Sequence, residues 1–190
     1  MATQDRLIET MQELLRERGY TGTSPKAVQQ RAGVGQGSMY HHFTGKPDLA
    51  AAALRRSAEQ LRTRAEQRMA GPGTAYERIE GYLLAERESL RGCPVGRMAQ
   101  DAEVIADPEL RAPVHETFEW LCGRLAEIVA EGRAAGEFPA DTDPADLAAA
   151  VAAVVQGGYV LARAADSPEP FQRAVHGVLA MLRACSATKG

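Results

Sequence analysis

Hydrophobic residues recur at helical spacing along almost the whole chain. The first segment, from about Gln4 to Arg18, carries one apolar stripe at steps of one, three and four residues, as expected for a helix with one buried face. The members of this stripe are Leu7, Ile8, Met11, Leu14 and Leu15. Alternating β-branched residues are absent, and Ala, Leu, Arg and Glu dominate the later segments. The pattern therefore predicts an all-α protein.

Proline, glycine and serine divide this pattern into separate helices. Ser24 before Pro25 is a typical helix start, and Gly33 to Gly35 is a break. Pro47, followed by Asp48, marks another start. We expect about nine helices in all, at about 4–18, 25–32, 36–43, 47–70, 74–91, 95–105, 108–135, 144–165 and 168–186.

The clearest interruption of the chain is Gly71-Pro72-Gly73. This break predicts a domain boundary just before Gly71. Residues 1–48 would form a small N-terminal domain, residues 49–70 a connecting helix, and residues 71–190 a larger helical domain.

Charge is divided unevenly between these two parts. Residues 1–70 hold 11 Lys and Arg against 7 Asp and Glu, whereas residues 71–190 hold 11 against 18, within a net charge of −3. A basic front on an acidic body is typical of a protein whose front meets a polyanion.

Compartment can also be predicted from the sequence. The three cysteines, Cys93, Cys122 and Cys185, are odd in number and widely spaced, which argues against a disulfide framework. The N-terminus has no basic stretch followed by an apolar one, which predicts that there is no secretion signal. No apolar run approaches the roughly 20 residues that a membrane-spanning helix needs, so we expect no such helix. We therefore expect a cytoplasmic protein with no membrane partner.

The third predicted helix, residues 36–43, has one apolar edge and one polar face. At 100° per residue Met39 and Phe43 point inward, while the opposite face carries small and hydrogen-bonding side chains and no acid. A short helix, a glycine-containing turn and a second helix form a helix-turn-helix, whose second helix fits the major groove of B-DNA.

The side chains around this face suit contacts to DNA. Gln36 can pair its amide with an adenine edge, and Gly37 allows close approach of the backbone. Lys46, with the amides at the start of the fourth helix, would bind a phosphate, as would Ser24. The predicted DNA-binding residues are Ser24, Gln36, Gly37, Ser38, Tyr40, His41, His42 and Lys46.

Residues 23–49 resemble the N-terminal DNA-binding domain of the TetR family of transcriptional regulators, and the resemblance covers about residues 5–55. The family pattern AGVS-x-G-[ST]-hydrophobic-Y-x-[YH]-F is matched from Ala32 to Phe43, followed by Lys46 and Leu49. The chain departs from it at Gly35, where Ser is usual, and at Gln29, where a small residue is usual. The resemblance implies a DNA-binding regulator, commonly a repressor of a palindromic operator that a small molecule releases.

The resemblance also implies that the larger domain binds an effector and forms a homodimer. Two late helices are rich in small residues, and their stripes suit either a four-helix interface between subunits or a core within one subunit. The residues of these stripes are Ala148, Ala152, Gly157, Gly158, Ala162, Val175, Val178, Leu179 and Leu182.

An effector pocket is predicted from polar and aromatic residues that interrupt the apolar body helices. The stretch around Cys93 and the segment 156–171 resemble the LmrA/YxaF-like subgroup of the family. Cys93, just before a predicted helix start, could be a reactive thiolate or a packed thiol. The predicted pocket residues are Tyr82, Glu86, Cys93, Met98, Phe118, Leu121, Gln156 and Tyr159, with Trp120 as a further candidate.

The sequence also bears on metal sites and on enzymatic activity. His41 and His42 stand 100° apart on a helix and lack a third ligand at metal spacing, so we expect no metal and no cofactor. His115 and His176 are isolated, and no H-E-x-x-H, C-x-x-C or phosphate loop occurs, so an enzyme is not expected. A helical-bundle enzyme or an interaction module that binds no DNA remain the alternatives.

Overall fold

A computed structural model describes residues 2–187 of the chain. The described residues form nine α-helices and two short 3-10 turns, at Ser89–Arg91 and Gly96–Gln100. The all-α prediction is confirmed. The helices are α1 (Thr3–Arg18), α2 (Pro25–Ala32), α3 (Gln36–His42), α4 (Lys46–Met69), α5 (Ala75–Leu83), α6 (Ala102–Ala106), α7 (Pro108–Ala134), α8 (Pro144–Ala165) and α9 (Glu169–Ala187).

The chain divides into two compact units that are each built from two stretches of sequence. Unit 1 comprises residues 1–61 and 93–117, and unit 2 comprises residues 62–92 and 118–190. α4 and α7 each begin in unit 1 and end in unit 2. Compactness therefore does not follow chain order, and the functional boundary before Gly71 stays a prediction.

Unit 1 is built on the apolar stripe of α1. All five stripe residues are buried, and α1 contacts both α2 and α3. Met39 and Phe43 are buried as predicted, with 0% and 5% of their surface exposed. The stripe therefore lies on the helix against which α2 and α3 pack. We call residues 25–43, which comprise α2, α3 and the turn between them, the recognition segment.

Unit 2 has a single apolar core to which α5, α8 and α9 and parts of α4 and α7 contribute. The most extensive packing between two helices is that of α8 on α9. Gly158 of α8 lies so close to Phe171 of α9 that a Cβ at this glycine would come within 2.9 Å of the aromatic ring. A larger residue would therefore clash at this position.

The predicted helix 74–91 is wrong in its second half. α5 ends at Leu83, because the guanidinium of Arg87 folds back and donates to the carbonyls of Tyr82, Leu83 and Ala85 at 2.5–2.9 Å. An arginine that binds the orphan carbonyls of a helix end replaces the next helical turn. The remainder of the segment is irregular up to the 3-10 turn at Ser89–Arg91.

The predicted helix 95–105 is also interrupted. A 3-10 turn ends at Gln100, and α6 begins after Asp101, whose carboxylate accepts a hydrogen bond from the amide of Glu103. An aspartate in the N-cap position starts a new helix and so breaks the old one.

The expectation that no apolar segment is long enough to span a bilayer is wrong for α8. By length and composition alone it passes that test, with a mean hydropathy of 1.6 over 18 residues, of which 33% are buried inside the protein. Six of its residues lie in the core of unit 2, which places one face of α8 inside the folded chain.

Candidate nucleic-acid interface

Local sequence determines where α2 begins and where it ends. The hydroxyl of Ser24 accepts a hydrogen bond from the amide of Ala27 at 3.2 Å and so caps α2. α2 ends at Gly33 in the left-handed conformation, with φ of 63°, which a residue with a side chain rarely adopts. Ser24 is exposed and therefore keeps lone-pair capacity for a second partner.

α3 presents a polar face to solvent. Gln36, Gly37 and Ser38 in its first turn are exposed, as are Tyr40, His41 and His42 further along. Tyr40 exposes 48% of its surface, which is unusual for an aromatic side chain next to an apolar core. The six predicted contact residues of this helix therefore lie on an accessible surface.

Gly37 is not required by the packing of the protein itself. A Cβ built on Gly37 would meet no atom within 4 Å, and its φ is not in the left-handed range. Glycine in a helix costs about 1 kcal/mol relative to alanine. A glycine kept at an open helical position is consistent with close approach of another molecule.

The departure from the family pattern at Gln29 has a structural explanation. Its side-chain amide lies 3.6 Å from Sδ of the buried Met39, which is a weak acceptor. The long side chain therefore packs between α2 and α3 and fills the space that a small residue would leave.

The two histidines lie side by side on α3. Their ring centroids are 5.1 Å apart with an interplanar angle of 69°, an edge-to-face arrangement. Among residues 2–187, no group of three or more His, Cys, Asp or Glu side chains is arranged to hold a metal ion.

Lys46, at the start of α4, is held by an aromatic ring. Its Nζ lies 3.8 Å from the ring centroid of Tyr20, a cation–π contact. Because Lys46 is only half-buried, its ammonium stays in reach of a phosphate. Asp48, whose carboxylate accepts from the amide and hydroxyl of Thr44, fixes the first turn of α4.

Two residues that the sequence analysis missed hold the end of α1. The guanidinium of Arg97 donates to the carbonyls of Arg16 and Glu17, at 2.6 and 2.9 Å. The carboxylate of Asp101 accepts from the amides of Tyr20 and Thr21 and from the Thr21 hydroxyl, at 2.9–3.0 Å. We call Arg97 and Asp101 the polar clasp. No local pattern could reveal it, because its partners lie about 80 residues away.

The clasp depends on an ionised carboxylate. Burial alone would raise the pKa of Asp101, but hydrogen bonds from Thr21, Tyr20 and Glu103 outweigh it and lower the pKa below its usual value. The neighbouring phenol of Tyr20 has a raised pKa because of its burial and the charges of Glu103, Asp107 and Asp101. The raised pKa favours the neutral phenol of Tyr20, whose ring contacts the ammonium of Lys46.

The predicted pocket residues are divided between the two units. Cys93 and Met98 are buried in unit 1. In unit 2, Tyr82 and Leu121 are buried, Phe118, Gln156 and Tyr159 are half-buried, and Glu86 is exposed. A shallow groove in unit 1 is lined by other residues, Glu103, Ala106, Asp107, Pro108 and Glu109. The pocket stays a prediction.

Cys93 is a packed thiol in this structure. It exposes 4% of its surface, and its Sγ accepts a hydrogen bond from the amide of Gly96 at 3.2 Å. This arrangement matches the packing alternative of the sequence analysis.

The small-residue stripe of α8 and the apolar stripe of α9 lie mostly inside unit 2. Ala148, Ala152, Gly158 and Ala162 are buried, as are Val175, Val178, Leu179 and Leu182. Only Gly157 of the predicted set is exposed. These residues therefore form a core within one chain, which was the second alternative.

Comparison with known proteins agrees with the geometry. Residues 7–53 match the model of the bacterial regulatory proteins of the tetR family, and residues 75–178 match that of the tetracyclin repressor-like C-terminal domain. The chain is 28% identical to the transcriptional regulator AcuR of Cereibacter sphaeroides, over 87% of this chain and 78% of that protein. It is 25% identical to the regulator LmrA of Bacillus subtilis, over 89% of this chain and 90% of the relative.

A solved structure shows the same fold. A TetR transcriptional regulator from Chloroflexus aurantiacus superimposes with a TM-score of 0.87 at 26% identity, covering 95% of this chain and 93% of the other. Together with the exposed polar helix of a helix-turn-helix, these matches establish that the chain belongs to the TetR family of DNA-binding transcriptional regulators.

Proposed function

We propose that this protein is a dimeric repressor that reads a palindromic operator through α3 and releases it when a small molecule binds unit 2. The observation that carries the proposal is the exposed polar face of α3 on a buried platform. A rigid helix of this polarity can enter a major groove without exposing apolar surface.

Each contact has a role that its chemistry suggests. Gln36, Ser38 and His41 would read base edges, and Tyr40 and His42 would reach the flanking backbone. Lys46 and Ser24 would bind phosphates on either side. Gly37 would let the helix backbone approach the duplex.

A second copy of the chain would cover an apolar face of unit 2. The side of α8 opposite its core has no charged residue between Leu147 and Ala162 and exposes Val160 and Leu161 by 52% and 53%. Met181 of α9 is exposed by 61%. The exposed members of this apolar face are Ala149, Ala153, Gly157, Val160, Leu161, Ala164, Gly177, Ala180, Met181 and Ala184.

Dimerisation follows from the size of the DNA contact. One seven-residue helix makes few contacts, whereas two helices related by a two-fold axis reach half-sites about 34–36 Å apart. Small side chains on α8 and α9 allow two helix pairs to approach closely, as in a four-helix interface. The protein would act in the cytoplasm, where the operator is, and no catalytic activity is proposed.

Repression and release require two states with different DNA affinity. An effector that binds one state better shifts the population toward that state. DNA is released if, in that state, the distance between the two α3 helices no longer matches the spacing of successive major grooves.

The experiment is selection of bound DNA from random fragments, followed by affinity measurements at several salt concentrations. We expect a palindrome whose binding weakens steeply with salt. Lys46→Ala should weaken binding to all sequences and reduce the salt slope by about one, whereas Gln36→Ala should relax preference at one position. Arg64→Ala, an exposed charge change on α4 in unit 2, is the matched control. Enrichment of no sequence would contradict the proposal.

A further inference from the structure

One arginine of unit 2 carries an unsatisfied buried donor. Nε of Arg62, in α4, is the only side-chain nitrogen or oxygen among residues 2–187 that is buried without a hydrogen-bond partner. The guanidinium carbon lies 6.0 Å from the ring centroid of Trp120 in α7, at the outer limit of a cation–π contact. Arg62 as a whole residue is half-buried.

The neighbouring half-buried arginines of unit 2 are satisfied within the chain. Arg124 pairs with Glu66 and Glu127, at 3.0 Å in each case. Arg87 binds three carbonyls at the end of α5. Arg78 donates to the carbonyl of Met69 at 2.7 Å and pairs with Glu131. Arg62 therefore differs from its neighbours in lacking an acceptor.

Such a donor is costly. A buried N–H of a charged group without an acceptor has lost its hydration and gained no hydrogen bond in return, which destabilises the fold more than the same loss at a neutral group. Trp120 packs against the apolar core of unit 2, and no acceptor lies within hydrogen-bond distance of Nε of Arg62. An acceptor oxygen from outside the chain would satisfy this donor, and an anionic oxygen would also balance the charge of the guanidinium.

We infer that the effector of this regulator is a small organic acid, whose carboxylate pairs with Arg62 and whose hydrocarbon part lies against Trp120. A planar guanidinium matches a carboxylate with two parallel hydrogen bonds. The indole face covers apolar or flat groups. The inference rests on the proposed function only in treating the bound acid as the effector.

The binding test uses the single tryptophan of the chain as its reporter. We expect benzoate or hexanoate to change Trp120 emission saturably, while the neutral benzamide and hexanamide do not. Arg62→Gln should weaken carboxylate binding at least about tenfold, because a hydrogen bond to a charged group is lost. Arg64→Gln, an exposed change on the same helix, should bind as the parent does.

The inference is overturned if neither acid changes the emission, if acids and amides bind alike, or if Arg62→Gln binds the acids as tightly as the parent. In the parent, the bound acid should also weaken operator binding, and Arg62→Gln should lose this response. An acid that binds through Arg62 without changing operator affinity would contradict the effector role.

A second measurement does not depend on the choice of acid. If Arg62 lacks a partner, Arg62→Met should raise the melting temperature of the ligand-free protein, by about 2–4 °C for each kcal/mol gained in a chain of this size. Arg124→Met should lower it, because Glu66 is left unpaired. A lower melting temperature for Arg62→Met would show that the guanidinium has a structural partner and would contradict the inference.

These readouts need no DNA, so the two proposals fail separately. A protein that selects an operator but ignores both acids would overturn the acid site alone. A protein that binds acids through Arg62 but selects no DNA would contradict the regulator role.

Discussion

Individual residues of the recognition segment follow from local rules. α2 ends at Gly33, because glycine readily adopts the left-handed φ of 63° that this end requires. Met39 and Phe43 are buried because helical spacing places them on the same side of α3. The sequence could predict the polar face for the same reason. It could not predict that Gln29 packs on Met39, since that contact depends on how α2 and α3 meet.

Gly37 offers a test at this scale. Gly37→Leu should leave the melting temperature unchanged or higher, because leucine is a better helix former by about 1 kcal/mol and the position is open. Operator affinity should fall at least about tenfold, corresponding to about 1.4 kcal/mol, because the side chain would stand between helix and duplex.

Thermal unfolding and DNA titration measure the two effects. The control is Gly123→Leu, the same change at an open helical glycine of α7. Unchanged DNA affinity in Gly37→Leu would remove Gly37 from the interface.

At the scale of elements, some helix ends were decided by side chains that lie outside the helix and bind its terminal backbone groups. α5 stops at Leu83 because Arg87 binds its last carbonyls, and no proline or glycine marks this end. α6 begins where Asp101 caps it while also binding the turn after α1. Helical periodicity predicts where a helix can form, but it does not show which side chain will compete for its last carbonyls.

The polar clasp should make the stability of unit 1 depend on pH. Asp101 has a lowered pKa in the folded state, so its contribution is present above the unfolded pKa of about 3.9 and is lost as pH falls through the folded value. Asp101→Ala should lower the free energy of unfolding by about 2 kcal/mol at neutral pH, because the amides of Tyr20 and Thr21 lose a charged acceptor.

Urea unfolding at several pH values measures this difference. The gap between parent and variant should shrink as pH falls below about 4. Glu109→Ala, an exposed carboxylate at the start of α7, serves as the control. A gap that is constant with pH would show that the charge of Asp101 does not stabilise the clasp.

At the scale of the whole molecule, the apolar face on α8 and α9 is the proposed dimer interface. Except for Gly157, the residues that the sequence suggested for an interface are core within one chain. The proposed interface lies on the opposite side of these two helices. The high mean hydropathy of α8, 1.6 over 18 residues, reflects apolar residues on both sides of one helix.

Met181→Glu or Val160→Glu should convert the proposed dimer to a monomer, because a carboxylate would be buried against an apolar partner without a counter-charge. Operator affinity should fall in parallel, since one recognition helix is insufficient. Sedimentation and DNA titration check both effects. Gln172→Glu, an exposed position on α9 outside the apolar face, should remain dimeric. A dimeric Met181→Glu and Val160→Glu double variant would place the interface elsewhere.

The sequence by itself determined most of the helices, the recognition segment and the family, because these depend on spacing, capping residues and a short motif. The tertiary structure alone decided which helix faces meet inside the chain, where α5 ends, how Asp101 holds the end of α1, and that Nε of Arg62 lacks a partner. The physical reason is that an apolar stripe shows that a surface must be covered but does not show what covers it. A charged side chain likewise finds its partner only after the chain has folded.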